Sequence, residues 1–217
     1  MSGLYIEYSD KYFLMFLFFV DCNIMKFILT VLPFVSSLLI PGLSVACPSA
    51  TQLSDGFVLR REAVISEVKS AGRIARVDHD FNGAGSQKQF LYRGLIALAG
   101  LGDEGNYGYY FTSDLEAFWP MKVGARRSFE FLPLDAGEAS DRWSLEMTVT
   151  KQRAFPVRFC NYLVYYVLVE VRKNGESDEK WTAVYSPDLQ VTLAKIYDEG
   201  TEDETIVAYD VIEPLRK

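Results

Sequence analysis

The chain has 217 residues, of which 49% are hydrophobic, 24% charged and 14% aromatic, and such a composition excludes an intrinsically disordered protein. A net charge of −7 and a pI of 4.9 argue against nucleic acid as a partner, because phosphate binding needs a basic face. A single histidine and three cysteines leave little material for a zinc centre or a histidine-based triad.

The first fifty residues read as an address. From Phe27 to Val45 only apolar residues, serine, threonine, glycine and proline occur, preceded by Met25-Lys26 and followed by small residues up to Cys47. A short positive region, an apolar stretch and a small-residue cleavage site are the layout of a secretory signal. Counted from Met1, the segment acquires an acidic leader (Glu7, Asp10, Asp21) that is out of place in such a signal. Residues 1–24 therefore read as an over-extended start, 25–46 as the signal, 47–53 as the N-terminal segment of the exported chain, and 54–217 as one domain. A membrane anchor is the rival reading, but Asp21, Asn23, Lys26, Pro33 and Pro41 interrupt the run of about 20 apolar residues that a span needs.

Cys47 follows Ser44-Val45-Ala46, which suits ordinary signal peptidase. The same position resembles the lipobox of bacterial lipoproteins, which would make Cys47 a lipidation site and give membrane association, although Ser44 stands where leucine is usual. In an oxidising compartment Cys47 is alternatively a disulfide partner for Cys160. With Cys47 lipidated, Cys160 would be a small buried hydrophobe.

Beyond residue 55 the chain is written in strands. Phe57 to Val68 and Arg73 to Val77 read as a pair around Ser70-Ala71-Gly72, with a helical alternative for the first. Phe90 to Leu98 is the next strand. Tyr107, Tyr109 and Phe111 share one face, as do Phe129 and Phe131. Trp143, Leu145, Met147 and Val149 alternate with Ser144, Glu146, Thr148 and Thr150, the signature of a sheet with one packed and one wet face. Ser113 to Trp119 reads as a helical turn, with Ser113 and Glu116 at capping-box spacing. From Tyr162 to Val171 almost every residue is apolar on both faces, so this strand is central or lines a cavity. Asn174-Gly175 marks a hairpin, since both residues tolerate positive φ. Trp181 to Tyr185, Val191 to Tyr197 and Ile206 to Ile212 complete the series, with Asp198 to Glu204 a solvated loop. The expected fold class is all-β: a single antiparallel meander of nine or ten strands curled into a half-barrel, barrel or sandwich, with at most one short helix.

The string Phe118-Trp119-Pro120-Met121-Lys122-Val123-Gly124, the strands that follow it, Ala154-Phe155, and Trp181-x-x-x-Tyr185-Ser186-Pro187 together resemble a set of exported bacterial β-domains, of the half-barrel periplasmic or lipoprotein type. The resemblance covers roughly residues 115–197 and rests on turn and core residues. It implies the fold and export, in the periplasm or as an anchored lipoprotein, and no activity. Met121 replaces the commoner leucine, and Gln190 stands near the place of the usual glycine.

No Gly-x-Ser-x-Gly elbow, phosphate loop, Cys-x-x-Cys or His-Glu-x-x-His occurs, and no catalytic residue is assigned. Asp78, Asp80 and Asn82, with Gly83, match the first half of a calcium loop, but Gln89 occupies the place of the bidentate glutamate. The plainer reading is a hairpin loop with solvated aspartates and a solvated His79, and no cofactor. The leading functional expectation is a non-enzymatic envelope module that acts structurally or through protein interaction, its partner unknown. The alternative is a binder of an apolar or amphipathic small molecule in the concave face, with Val164, Tyr166 and Leu168 as lining residues, because an unalternating strand must be covered on its second face.

Overall fold

The computed structural model describes residues 47–103, 105–134 and 141–215. The leader 1–24 and the signal 25–46 lie outside the described residues. Among the described residues no helix is long and apolar enough to cross a membrane.

Thirteen strands follow one another: β1 Phe57–Arg61, β2 Val64–Ala71, β3 Ile74–Asp80, β4 Ser86–Tyr92, β5 Ile96–Gly102, β6 Gly105–Phe111, β7 Arg126–Pro133, β8 Trp143–Val157, β9 Cys160–Lys173, β10 Glu176–Ser186, β11 Val191–Tyr197, β12 Thr205–Ala208 and β13 Val211–Pro214. All pairings are antiparallel, and neighbours in sequence are neighbours in the sheet, except that β13 pairs with β1 at the far end. The meander is the one expected, with more strands than nine or ten.

The additional strands come from turns that local pattern did not reveal. Glu62, at φ 45°, folds the expected strand Phe57 to Val68 into β1 and β2, and no helix forms there. Arg93 and Gly94, at φ 47° and 68°, divide the expected strand Phe90 to Leu98 between β4 and β5. The helical turn is a 3₁₀ turn at Leu115–Phe118, and its cap is Asp114, whose carboxylate accepts from the Glu116 N–H at 2.9 Å; Ser113 is not the cap. Asn174 and Gly175 do form the β9–β10 turn, with φ of 53° and 89°.

Two segments change partners midway and bend the sheet: β6, and the expected strand Ile206 to Ile212, which divides into β12 and β13. β6 pairs with β5 through residues 105–108 and with β7 through 109–111. At the C-terminus, β12 pairs with β11 and β13 with β1, yet only Tyr209-Asp210 separates them. The Tyr209 N–H donates to the Leu193 carbonyl and the Asp210 N–H to the Arg60 carbonyl. One short extended segment is thus bonded to both ends of the ladder, so the ladder must curl round until its ends meet it. β12 and β13 do not pair with each other, and the ring is not closed by hydrogen bonds. Such corner strands are how two half-sheets share a wall.

The curl creates two cores. The first joins Phe57, Leu59 and Val68 from β1–β2 with Val164, Val184 and Leu193 from β9–β11. The second joins Ile96 and Phe118 with Phe129, Met147, Val169 and Tyr185. β9 and β10 serve both, one face each, which accounts for a strand that is apolar on both sides. The long β8–β9 hairpin extends past β7 and β10, and Cys160 near its tip is joined to Cys47 by a disulfide, with Cα atoms 5.7 Å apart.

Candidate ligand cavity

Inside the curl the inward side chains do not meet completely, and a cavity of about 700 Å³ remains. That volume lies in the range of roughly 300–1,000 Å³ usual for small-molecule sites. Its walls follow from strand alternation. The odd residues of β8, Trp143, Leu145 and Met147, face it, together with Tyr107, Tyr109 and Phe111 of β6 and Phe131 of β7. Their rings form a connected aromatic wall: Tyr109 meets Phe131 edge-on at 5.2 Å between centroids, Phe111 lies 5.4 Å and Trp143 6.0 Å from the same ring. Gly100 is opposite Tyr107, and a Cβ there would lie 2.1 Å from the tyrosine ring. Only glycine lets this ring lie flat across β5.

On β9 the cavity takes Val169 and Val171. None of the three expected lining residues is there. Val164 is fully buried in the first core, Tyr166 packs partly against that core with Lys151 over its ring, and Leu168 is half-buried on the same face, turned away from the cavity. The reason is register. Val169 pairs with Met147 and Val171 with Leu145, whereas Leu168 pairs with Thr148. Residues directly opposite across two strands share a face, so the odd residues of β9 join the aromatic wall and the even ones leave it.

The opposite wall is polar. His79 is half-buried and hydrogen-bonds through Nδ1 to Ser66 Oγ at 2.8 Å; Ser66 in turn meets the Tyr209 hydroxyl at 3.0 Å. Burial holds the His79 pKa below its ordinary value, against a hydrogen bond with Gln89 that raises it. The histidine is thus a structural participant in the cavity wall, not a solvated side chain. Lys195 also faces the cavity with its Nζ 4.9 Å from the Trp181 ring centroid, and burial lowers its pKa. Sequence reasoning missed both. Lys195 sits in an otherwise apolar strand, the one local signal that it carried.

The half calcium loop is a strand and a turn. Asp78 and Asp80 belong to β3 on the face opposite Val77 and His79, Asp78 is paired with Arg76, and Asp80 accepts the Gly83 N–H at 3.2 Å. Asn82 takes the left-handed turn at φ 56°. Among the described residues no cluster of three or more His, Cys, Asp or Glu side chains is placed to hold a metal.

A Ser66–His79 contact has the donor–acceptor spacing of a nucleophile and base. Ser66, however, is completely buried, shares its hydroxyl with Tyr209, and does not border the cavity.

Cys47 has its sulfur committed to Cys160, and a sulfur so bonded cannot also carry a thioether-linked lipid.

No family profile matches the chain, and no curated protein does. Among solved structures it is similar to the hypothetical lipoprotein YmcC of Escherichia coli, at 12% identity and a TM-score of 0.47, over 76% of this chain and 89% of that one.

Proposed function

We propose that this protein is an exported, non-catalytic β-domain that binds an apolar or amphipathic small molecule inside its curled sheet. The observation that carries this reading is the cavity of about 700 Å³ with an aromatic and aliphatic wall on one side and a few polar groups on the other. Contiguous apolar surface left open to water is rare on a monomer, and ligand sites combine apolar walls with a small number of placed polar groups. Export is supported by the signal layout of residues 25–46 and by a disulfide, which persists in oxidising compartments.

The test is saturable binding of the neutral apolar fluorophore N-phenyl-1-naphthylamine to delipidated protein, read by its own emission and by quenching of Trp143 and Trp181, which border the cavity. Ala97→Trp and Val171→Trp, each placing an indole into the space, should lower the affinity at least tenfold while the melting temperature holds. Leu168→Glu, on the outer face, should leave binding in place. Retained affinity in both filled variants would remove the cavity from consideration.

The scaffold or interaction reading has one observation in its favour. Tyr110, Leu132 and Leu134 form an exposed apolar strip on the outside of β6 and β7, 59%, 47% and 71% accessible respectively. A partner surface there would operate beside the cavity without replacing it.

A further inference from the structure

The polar end of the cavity collects basic groups from three separate strands. Arg61 continues the inward face of β1 after Phe57 and Leu59 and borders the cavity there. His79 comes from β3, and Lys195 from β11. The three are close enough for their charges to act on one another: Arg61 and Lys195 both bear on His79, and Arg61 bears on Lys195. Among the described residues neither Arg61 nor Lys195 has a carboxylate within 4 Å, although nine other ion pairs form across the surface. Carboxylates also bear on this end: Asp178 and Glu179 of β10 border the cavity from its exposed rim, and the Glu179 charge reaches Lys195 without pairing to it, while Asp78, on the other face of β3 and paired with Arg76, acts on His79.

Lys195 points inward because of a bulge. The β10–β11 register shifts between Val184 and Tyr185, so that Tyr185 pairs with Thr192 while Val184 pairs with Ala194, and Leu193 is left as the extra residue. Lys195 then falls opposite Ala183, on the cavity face beside Trp181. Unshifted pairing from the Tyr185–Thr192 end would set it opposite Thr182, on the outer face. Bulges re-aim side chains in this way and recur next to functional sites. A lysine turned into a cavity without a carboxylate of its own carries a desolvation cost that a ligand anion would offset.

We infer that this end of the cavity is an anion site, in which Lys195 and Arg61 hold the carboxylate head of a single-chain amphiphile whose tail lies along the aromatic wall. The inference rests on the ligand-binding reading and narrows it from apolar molecules in general to acidic ones. His79, held by Ser66 and Gln89, closes the same wall.

The experiment is displacement of N-phenyl-1-naphthylamine from the delipidated chain by three probes with twelve-carbon chains: dodecanoate, dodecan-1-ol and dodecyltrimethylammonium. At pH 7.5 dodecanoate should displace at a concentration at least tenfold below dodecanol, and the ammonium should be the weakest. Lys195→Met should shrink the acid-to-alcohol ratio to within threefold, Lys195→Arg should keep it, and Lys180→Met, an exposed lysine on the opposite face of β10, should leave it unchanged. Equal displacement by acid and alcohol overturns the anion site and leaves the cavity reading standing. Absence of saturable fluorophore binding overturns that reading itself. Should Lys195→Met fail to fold, the three-probe order on the unaltered protein still decides, and an ammonium as strong as the acid refutes the proposal.

Discussion

Replacing Cys47 by alanine isolates the effect of the cross-link. Cys47 is exposed and contributes little packing, whereas Cys160 is buried and stays in place as a small apolar residue. The bridge joins positions 113 residues apart, so it closes most of the domain into one loop. For a loop of that size the lost chain entropy of the unfolded state corresponds to about 4.7 kcal/mol at 25 °C. Part of the tether survives without it, because the Ser70 N–H donates to the Leu53 carbonyl and the Gly56 N–H to that of Gln52. Those bonds act on the folded state only and leave the entropy argument intact. At an m-value near 5 kcal/mol/M in guanidinium chloride, the midpoint should fall by about 1 M, and m should rise somewhat because the unlinked unfolded chain is less compact. Equilibrium melts of the oxidised protein and the variant, followed by far-UV circular dichroism, measure it. A midpoint within 0.2 M of the parent would refute the reasoning, as would two freely alkylated thiols or an acyl mass on Cys47 in the protein isolated from its host.

Two further substitutions test the packing. Gly94→Ala should cost at least 3 kcal/mol, since its Cβ would lie 1.5 Å from the Gln190 carbonyl oxygen at a φ of 68°, and relief would separate the Tyr185 hydroxyl from the Arg93 carbonyl it donates to at 2.6 Å. Gly72→Ala, at a similar φ of 62° with nothing within 4 Å, should cost only about 1 kcal/mol, and equal losses in thermal melts would contradict the steric account. Glu116 accepts from Arg93 and Tyr92 and lies 3.6 Å from Arg73, and the Arg93 bonds first, then Tyr92, hold its carboxyl down at about 2. Glu116→Gln should therefore lower stability at pH 7 by about 1–2 kcal/mol, a figure reduced for its partial exposure. A depressed carboxylate stabilises the fold above its unfolded pKa near 4.3, so the gap between parent and variant should close as pH falls from about 4.5 to 2. A gap that persists at pH 2 would mean that packing, not charge, is responsible.

Local chemistry in the sequence determined most of the strands and their two-sidedness. The alternation in Trp143 to Thr150, the shared face of Tyr107, Tyr109 and Phe111, and the Asn174-Gly175 turn all appear as read, because side-chain direction along a strand and positive φ at a turn are properties of a few adjacent residues. The same locality limits what can be read. Alternation says that two faces differ, but not which residues of the next strand share a face, so the sequence alone points to Val164, Tyr166 and Leu168 for a concave side that belongs to Val169 and Val171. Pairing of β9 with β8 decides that, through hydrogen bonds between residues far apart in sequence. The strand count differs at Glu62 and Arg93, whose left-handed turns carry no glycine-first signal, and at Tyr209-Asp210, where the expected strand Ile206 to Ile212 changes partner and divides into β12 and β13. Lys195 is the sharpest case. Its direction depends on a register shift against Val184 and Tyr185, and its neighbours Arg61 and His79 arrive from the far end of the chain only because Tyr209-Asp210 lets one segment pair with both ends of the sheet. A cavity is the space left between strands once the sheet has curled, and no local pattern encodes a space.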